Sequence, residues 1–254
     1  MRKIQAVILA GGKGTRLAPL TDHLPKPLVA VGGRPMMVYV LEHLRRAGIT
    51  DVAVAVAHLG DMIARAFGDG SSMGMHITYL HEPEPMGTGG WAKLIDWDVL
   101  DDHFLVLNAD NLFWIDVPAF LSRHRETNAI ATLAAVELPS NVILNYEILR
   151  PADGKTTLDA WVDRSRTAEE LAGKSSGYIN SGWYVMTPGV RDFVTDILPY
   201  SNETHLWPAL AASNATVGFY HATEPWFDSG THERLARVAT FLKLHPEYDG
   251  SNAP

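Results

Sequence analysis

Short apolar runs alternate with segments of helical spacing through the first half of the chain. The runs are rich in Val, Ile and Leu, the pattern of strands that are buried on both faces of a sheet. We therefore predict buried strands at residues 4–10, 52–57, 76–80 and 104–107.

The segments between these runs predict helices. Residues 36–47 carry apolar side chains at helical spacing, with Pro35 where the helix begins and Gly48 where it ends. Shorter helices are predicted over 61–67 and 91–97. Strands separated by helices predict a parallel sheet with helices on both faces.

The second half of the chain has a more mixed pattern. Strands are predicted over 129–137, 146–149, 157–162 and 177–186, a hairpin turn over 152–155, and helices over 190–197, 205–212 and 231–244. The predicted fold class is α/β, with one domain over residues 1–244 and a frayed tail over 245–254. Its second half adds an antiparallel layer over the carboxyl edge of the sheet, where such sheets bind ligands.

Composition narrows the class of function. The chain has 254 residues, 46% of them hydrophobic, which is enough for a full core. Its formal net charge of −8 argues against nucleic acid or an anionic membrane as a partner. It contains no cysteine, so disulfides, thiolate metal sites and a cysteine nucleophile are excluded. No apolar run approaches the ~20 residues of a membrane helix, so we expect a cytoplasmic protein.

A glycine-rich segment, Gly-Gly-Lys-Gly-Thr-Arg at residues 11–16, directly follows the first predicted strand. Its glycines permit positive φ and close approach of a ligand, and its amides can form a cavity for an anion. Arg16 adds a forked cation suited to phosphate. A Walker loop is excluded by spacing, and Leu17 replaces the third glycine of the dinucleotide fingerprint. A plain glycine-rich turn remains the alternative.

A second motif places Lys26 between Pro25 and Pro27. The prolines fix the backbone on both sides, which would aim the charge of the lysine. We expect this side chain to be exposed, so that Lys26→Ala leaves folding intact. The alternative is a surface loop with an incidental lysine.

These motifs, with Pro-Leu-Thr at residues 19–21 and Leu28, resemble the signature of the sugar-phosphate nucleotidyltransferase family. The similarity extends over about residues 4–244. It implies a Rossmann-like three-layer fold, with a mixed, mostly parallel sheet and an antiparallel sugar-binding layer. It also implies magnesium-dependent transfer of a nucleotidyl group from a nucleoside triphosphate to a sugar 1-phosphate. The chain is similar to guanylyltransferases for mannose or heptose 1-phosphate and to short uridylyltransferases for recycled cell-wall sugars such as N-acetylmuramate 1-phosphate.

The resemblance also assigns site residues. It gives catalytic roles to Arg16, Lys26 and Asp110. It gives nucleotide-binding roles to Leu9, Ala10, Gly11, Gly12, Gly14, Thr15, Arg16, Glu82, Gly87, Thr88 and Asn108. The attacking oxygen of a sugar 1-phosphate is already anionic, so no general base is required.

Two glutamates bear on the choice of base. Members of the family that use uracil or thymine often carry a glutamine upstream of the position of Gly87, where this chain has Glu82 and Glu84. A carboxylate can accept hydrogen bonds from the adjacent N–H and NH₂ groups of guanine. Uracil would place the lone pair of a carbonyl oxygen against at least one carboxylate oxygen. This favours GTP. In the alternative, the glutamates are solvated, the backbone contacts the base, and UTP, dTTP or CTP is used.

The predicted metal ligands lie far apart in sequence. Asp110 follows a buried strand, where an acidic side chain is costly unless it serves a ligand. The resemblance makes Asp110 and Asp228 the magnesium ligands. Magnesium prefers one or two carboxylates together with phosphate and water oxygens. In the alternative, Asp228 and Thr231 only cap the start of a helix, and Asp116 is expected to do the same elsewhere.

The sugar side is less defined. The resemblance gives sugar-binding roles to Asp163, Asn180 and Glu147, although relatives usually have Glu-Lys where this chain has Asp163-Arg164. Tryptophans could stack on a sugar, but a core position is the commoner use. A homo-oligomer is possible. Two other functions stay open: a metal-dependent glycosyltransferase and a nucleotide-binding regulatory homologue.

Overall fold

The computed structural model describes residues 2–144 and 146–249. Its strands are β1 Ile4–Leu9, β2 Ala30–Val31, β3 Arg34–Pro35, β4 Asp51–Val56, β5 His76–His81, β6 Leu100–Asn108, β7 Asn111–Phe113, β8 Ala131–Pro139, β9 Ile148–Pro151, β10 Leu158–Val162, β11 Ser176–Met186, β12 Val217–Ala222 and β13 Trp226–Asp228. Its α-helices are α1 Met36–Arg46, α2 Gly60–Phe67, α3 Val117–Thr127, α4 Ser140–Ile143, α5 Thr167–Glu170, α6 Trp207–Ala211 and α7 His232–Leu244. Within this described part, every helix is too short or too polar to cross a membrane.

The parallel half of the main sheet has the strand order β5-β4-β1-β6. At the carboxyl end of β1, Leu9 lies opposite Ala55 of β4 on one side and Asn108 of β6 on the other. The loops that follow these three strands therefore leave the sheet side by side. This places the glycine-rich segment and Asp110 at one edge, as the sequence predicts.

The antiparallel half is organised around β11. Its second half pairs with β6, and its first half pairs with β9, which continues into β10. On its other side β11 pairs with β8, and β8 pairs in parallel with β12. The sheet thus divides at β11, because β6 and β9 pair with different halves of this strand. The β9–β10 hairpin forms the predicted antiparallel layer. The hairpin turns at residues 152–155, where Gly154 and Lys155 have positive φ.

Helices and turns cover both faces of the sheet. Along β1, Ala6 and Ile8 pack into one buried cluster and Val7 into the other, the alternation expected of a strand buried on both faces. Helix α1 buries Met37 and Leu41 in the first cluster. Trp91 lies in the second. This confirms the predicted three-layer α/β fold class with its mixed, mostly parallel sheet.

Several predicted helices are shorter or of another type. Residues 91–97 form two 3₁₀ turns, Gly90–Lys93 and Trp97–Val99, because the Asp96 side chain accepts the amide of Asp98 and starts a second turn. Residues 190–197 give only a 3₁₀ turn, Pro188–Phe193. The β-branched residues that follow it favour extended backbone. Residues 205–212 form the end of a π-helical turn, Asn202–Leu206, and then α6.

The tail predicted to fray is in part packed. Pro246–Tyr248 form a 3₁₀ turn, and the ring of Tyr248 lies 5.2 Å from Trp114 and 5.3 Å from Phe241. The hydroxyl of Tyr39 donates to the carboxylate of Asp249 over 3.2 Å. Aromatic packing therefore holds the described residues 245–249 against the domain. Residues 250–254 lie outside the described part.

Candidate active site

A cleft of about 750 Å³ opens at the carboxyl ends of β1, β4 and β6. Lys26 and Asp110 line it. Among the residues predicted to bind nucleotide, Leu9, Ala10, Gly11, Gly12, Glu82, Gly87, Thr88 and Asn108 line it as well. This volume suits a nucleotide-sized ligand.

The glycine-rich segment runs from the cleft toward the start of α7. Gly14 has φ of 64°, which other residues rarely adopt, and it opens the 3₁₀ turn Thr15–Leu17. Gly14, Thr15 and Arg16 lie outside the cleft wall. The Arg16 guanidinium packs instead against Gly230. A Cβ added to Gly230 would lie 2.9 Å from a guanidinium nitrogen of Arg16 and 2.8 Å from an oxygen of the Asp228 carboxylate. Arg16 thus lies beside Asp228.

Lys26 and Asp110 form an ion pair in the cleft. The Lys26 ammonium lies 2.5 Å from the Asp110 carboxylate, and the two side chains are 8% and 34% exposed. The expectation of an exposed lysine is therefore wrong. Pro25 caps and Pro27 occupies the 3₁₀ turn Lys26–Leu28, which directs the lysine inward rather than into solvent. Since a buried charge needs its partner, Lys26→Ala should weaken folding, contrary to the sequence-based expectation.

A two-stranded ribbon brings the distant Asp228 beside Asp110. Strands β13 and β7 pair antiparallel with Asp228 opposite Asn111, the residue after Asp110. The Ser229 hydroxyl donates to the Asp110 carbonyl oxygen over 2.5 Å. The Asp228 carboxylate accepts the amide of Gly230 over 2.7 Å with one oxygen and pairs with Arg234 through the other.

These two carboxylates suit a magnesium ion bound with a nucleotide. Among residues 2–144 and 146–249, no cluster of three or more His, Asp or Glu side chains could hold a metal alone. The carboxylates of Asp110, in the turn before β7, and Asp228, at the end of β13, nevertheless match the hard oxygen donors that magnesium takes beside phosphate and water. Helix capping is also observed: Thr231 accepts the amide of Arg234 over 3.3 Å, and Asp116 accepts that of Ala119 over 2.9 Å.

Glu82 lies at the part of the cleft predicted to contact the base. One carboxylate oxygen accepts the amide of Met86 over 3.0 Å. A Cβ on Gly11 would lie 3.2 Å from the other oxygen, so Glu82 faces the glycine-rich segment. Burial raises the pKa of the Glu82 carboxyl, against the opposing effect of the Met86 amide. Glu84 also lines the cleft, and it is exposed.

A segment that the sequence analysis did not assign supports this part of the wall. The amide of Tyr200 donates to Met86, and the carbonyl of Tyr200 accepts from Gly89, each over 2.8 Å. The amide of Asn202 donates to the Thr88 hydroxyl over 2.9 Å. Gly87 has φ of 85°, and a Cβ there would lie 2.5 Å from the Tyr200 carbonyl oxygen. The one feature of the sequence that could have indicated this segment is Ser201, whose hydroxyl caps the Asn202–Leu206 turn.

The predicted sugar-binding residues lie in the antiparallel half, outside the cleft wall. Asn180 donates to the Tyr184 hydroxyl over 2.7 Å and accepts the amide of Gly182 over 2.9 Å. Asp163 accepts from both the hydroxyl and the amide of Ser165, and these bonds lower its pKa. Glu147 lies 3.4 Å from the Arg164 guanidinium. Their roles toward a sugar stay predictions.

Comparison with known proteins supports the resemblance. A mannose-1-phosphate guanylyltransferase of Mycobacterium tuberculosis is 31% identical over 241 residues, which are 94% of this chain and 65% of that protein. A UTP–glucose-1-phosphate uridylyltransferase of Synechocystis is 31% identical over 238 residues, which are 89% of this chain and 60% of that protein. The chain thus spans less than two thirds of the length of these relatives.

The fold also matches a solved structure. HddC from Yersinia pseudotuberculosis, crystallised as a complex with GMP-PN, superposes with a TM-score of 0.76 at 23% identity, covering 94% of this chain and 99% of HddC. Residues 5–244 match the family described as nucleotidyl transferase, which is nearly the whole chain. The chain therefore belongs to the nucleotidyl transferase family.

Proposed function

We propose that this chain condenses a nucleoside triphosphate with a sugar 1-phosphate, giving a nucleoside diphosphate sugar and pyrophosphate. The Lys26–Asp110 pair carries this proposal. It brings a buried ammonium and a partly exposed carboxylate within 2.5 Å in the wall of a nucleotide-sized cleft. A triphosphate bound with its metal can interact with both groups, because the phosphate oxygens pair with the lysine ammonium and the metal binds the aspartate carboxylate.

The proposed reaction is an in-line displacement at the α-phosphorus. An oxygen of the sugar 1-phosphate forms the new P–O bond, and pyrophosphate leaves with the electron pair of the bond that breaks. Arg16 and Lys26 would stabilise the phosphate charge, while the glycine-rich segment holds the triphosphate. Asp110 and Asp228 would hold magnesium, which supplies charge neutralisation at the phosphates.

GTP is the proposed donor, with a sugar 1-phosphate of the mannose or heptose type as acceptor. Glu82 presents a carboxylate at the wall, and the N–H and NH₂ of guanine are matched donors for it. The name of the Mycobacterium tuberculosis relative agrees with this choice. The Synechocystis relative, named for UTP and glucose 1-phosphate, makes uridylyl transfer the second candidate.

The test is a matrix of five nucleoside triphosphates against a panel of sugar 1-phosphates with magnesium, read by release of pyrophosphate. We expect the highest kcat/KM for GTP with mannose or heptose 1-phosphate. Asp110→Asn should slow the best pair by roughly 100- to 1,000-fold, the scale of one electrostatic group in the transition state. Asp116→Asn keeps a good helix cap and serves as the matched control.

Two outcomes would overturn the proposal. Absence of pyrophosphate with every pair, together with transfer from a preformed sugar nucleotide, would make the chain a glycosyltransferase. Nucleotide binding by calorimetry without any turnover would make it a regulatory homologue.

A further inference from the structure

Arg234, in the first turn of α7, contacts both sides of the candidate site. One nitrogen of its guanidinium pairs with the Asp228 carboxylate. A second nitrogen donates to the Tyr146 hydroxyl over 2.6 Å. Arg234 belongs to none of the predicted sequence motifs. It connects the end of β13 to the segment that leads into β9.

Both groups that Arg234 contacts are themselves held in place. The second oxygen of Asp228 accepts the Gly230 amide over 2.7 Å. The carbonyl of Tyr146 accepts the hydroxyl of Thr167 over 2.6 Å, and Thr167 is fully buried at the start of α5. The Asp228 and Arg234 side chains are 19% and 32% exposed, so solvent competes only in part for their pair.

A guanidinium is suited to this arrangement. Its donors lie in one fixed plane, so two bonds to different partners set the direction of both. A lysine ammonium would supply a point charge to one partner. The contact with Tyr146, which precedes the predicted sugar-binding Glu147, also ties the carboxylate to the antiparallel layer.

We propose that Arg234 is a positioning residue, which orients Asp228 toward the magnesium–triphosphate complex and links that carboxylate to the antiparallel layer through Tyr146. This inference rests on the proposed function. Groups that orient a metal ligand typically change metal affinity or activity 10- to 100-fold when they are removed. Arg234 would act through Asp228 and would contact neither the metal nor the reacting phosphate.

Metal binding gives the first test. Binding of Mn²⁺ to the full chain with GTP, and without sugar phosphate, is followed by the electron paramagnetic resonance signal of free Mn²⁺. We expect Arg234→Met to weaken Mn²⁺ binding about 10- to 100-fold. Tyr146→Phe should weaken it about 2- to 10-fold, the equivalent of one net hydrogen bond. Arg237→Met removes an exposed guanidinium from the same helix and should leave binding unchanged.

Turnover gives the second test. For Arg234→Met, raising the magnesium concentration should restore most of kcat, since the ligand is displaced rather than lost. A structural defect would not respond to magnesium. If Arg234→Met does not fold, Arg234→Lys keeps a cation at Asp228 and should still weaken Mn²⁺ binding, because it cannot fork to Tyr146.

The outcomes separate this inference from the proposed function. Mn²⁺ binding that is unchanged or tighter in folded Arg234 variants, with a wild type that releases pyrophosphate, would overturn the positioning role alone. A wild type that releases no pyrophosphate with any substrate pair would overturn the function, whatever the variants bind.

Discussion

The nucleotide half and the antiparallel half of this chain differ in how their polar groups are used. In the nucleotide half, the loops after β1, β4 and β6 open side by side, and most of the residues predicted to bind nucleotide line one cleft. Three glycines and the ends of strands β1 and β6 contribute to that wall. Its geometry follows from the parallel topology, so short local motifs are enough to locate it.

In the antiparallel half, the predicted residues contact their own layer. Asn180 binds Tyr184, Asp163 binds Ser165 and Glu147 approaches Arg164. The role of each predicted sugar-binding residue depends on which other side chains it contacts. Spacing along the sequence does not determine those contacts. The positions of the cleft residues could therefore be deduced from the sequence, whereas the contacts of the predicted sugar-binding residues required the structure. Three substitutions test this difference, and a fourth tests the sheet that carries the cleft.

Lys26→Met should have the largest effect, because this residue is both buried and central to the cleft. Turnover should fall roughly 100- to 1,000-fold. The free energy of unfolding should fall by about 2–3 kcal/mol, somewhat less than for a fully buried pair, since the Asp110 side chain left behind is 34% exposed. Steady-state kinetics and urea unfolding measure the two effects. Lys243→Met, an exposed lysine near the end of α7 and outside the cleft wall, is the control.

A Lys26→Met protein as stable as the wild type would show that the ion pair does not contribute to folding. One with near wild-type turnover would remove Lys26 from the reaction and with it the main support for the proposed function.

Glu82→Gln should have the next largest effect, on the choice of base. An amide keeps the shape of the side chain but can no longer accept both donors of guanine. The preference for GTP over UTP should fall by about 1–3 kcal/mol, or roughly 5- to 150-fold in the ratio of kcat/KM. Glu84→Gln, exposed in the same cleft, should leave the ratio unchanged. A ratio that stays unchanged in both variants would assign base reading to the backbone, as the alternative holds.

The sequence predicted the fold where hydrophobic periodicity was strong. The strands β1, β4, β5 and β11 and the helices α1, α2 and α7 lie within one or two residues of their predicted bounds. It missed α3, whose sequence includes the polar run Ser-Arg-His-Arg-Glu-Thr, because one of those polar residues, His124, is buried. It also missed β12, where Gly218 interrupts the strand pattern.

The sequence predicted which residues line the cleft where their placement depends on local motifs, and their roles stay predictions. Sequence reasoning did not find the support that Asn202 gives to Thr88, because those residues are 114 positions apart. Nor did it find Arg234, whose bond to Tyr146 spans 88 positions. It misjudged Lys26, because a lysine between prolines is most often solvated and only the fold shows Asp110 beside it.

His124 gives a pH-dependent prediction for the sheet that carries the cleft. Burial lowers the pKa of His124 to about 4, with further lowering by His103 and Arg125. Between about pH 6.5 and about pH 4, the His124 imidazole is therefore protonated in the unfolded chain but largely neutral in the folded chain. The folded state is destabilised as the pH falls through this range. From about pH 8 to about pH 5, His124→Gln should lose about 1–2 kcal/mol less stability in urea unfolding than the wild type. Equal losses would show that His124 is not the group responsible.

Asp163→Ala should have the smallest effect and tests the antiparallel half directly. Both side-chain bonds of Asp163 go to Ser165 at the start of the Arg164–Arg166 turn. We expect a slightly lower Tm at neutral pH, a deficit that shrinks as acid titrates the wild-type carboxylate through its lowered pKa. The KM for the sugar 1-phosphate should change less than about 3-fold, within one net hydrogen bond. Asp153→Ala, in the exposed hairpin turn, is the control. A rise of more than about 10-fold in that KM, with the KM for the triphosphate unchanged, would place Asp163 in the sugar site and remove the contrast between the two halves.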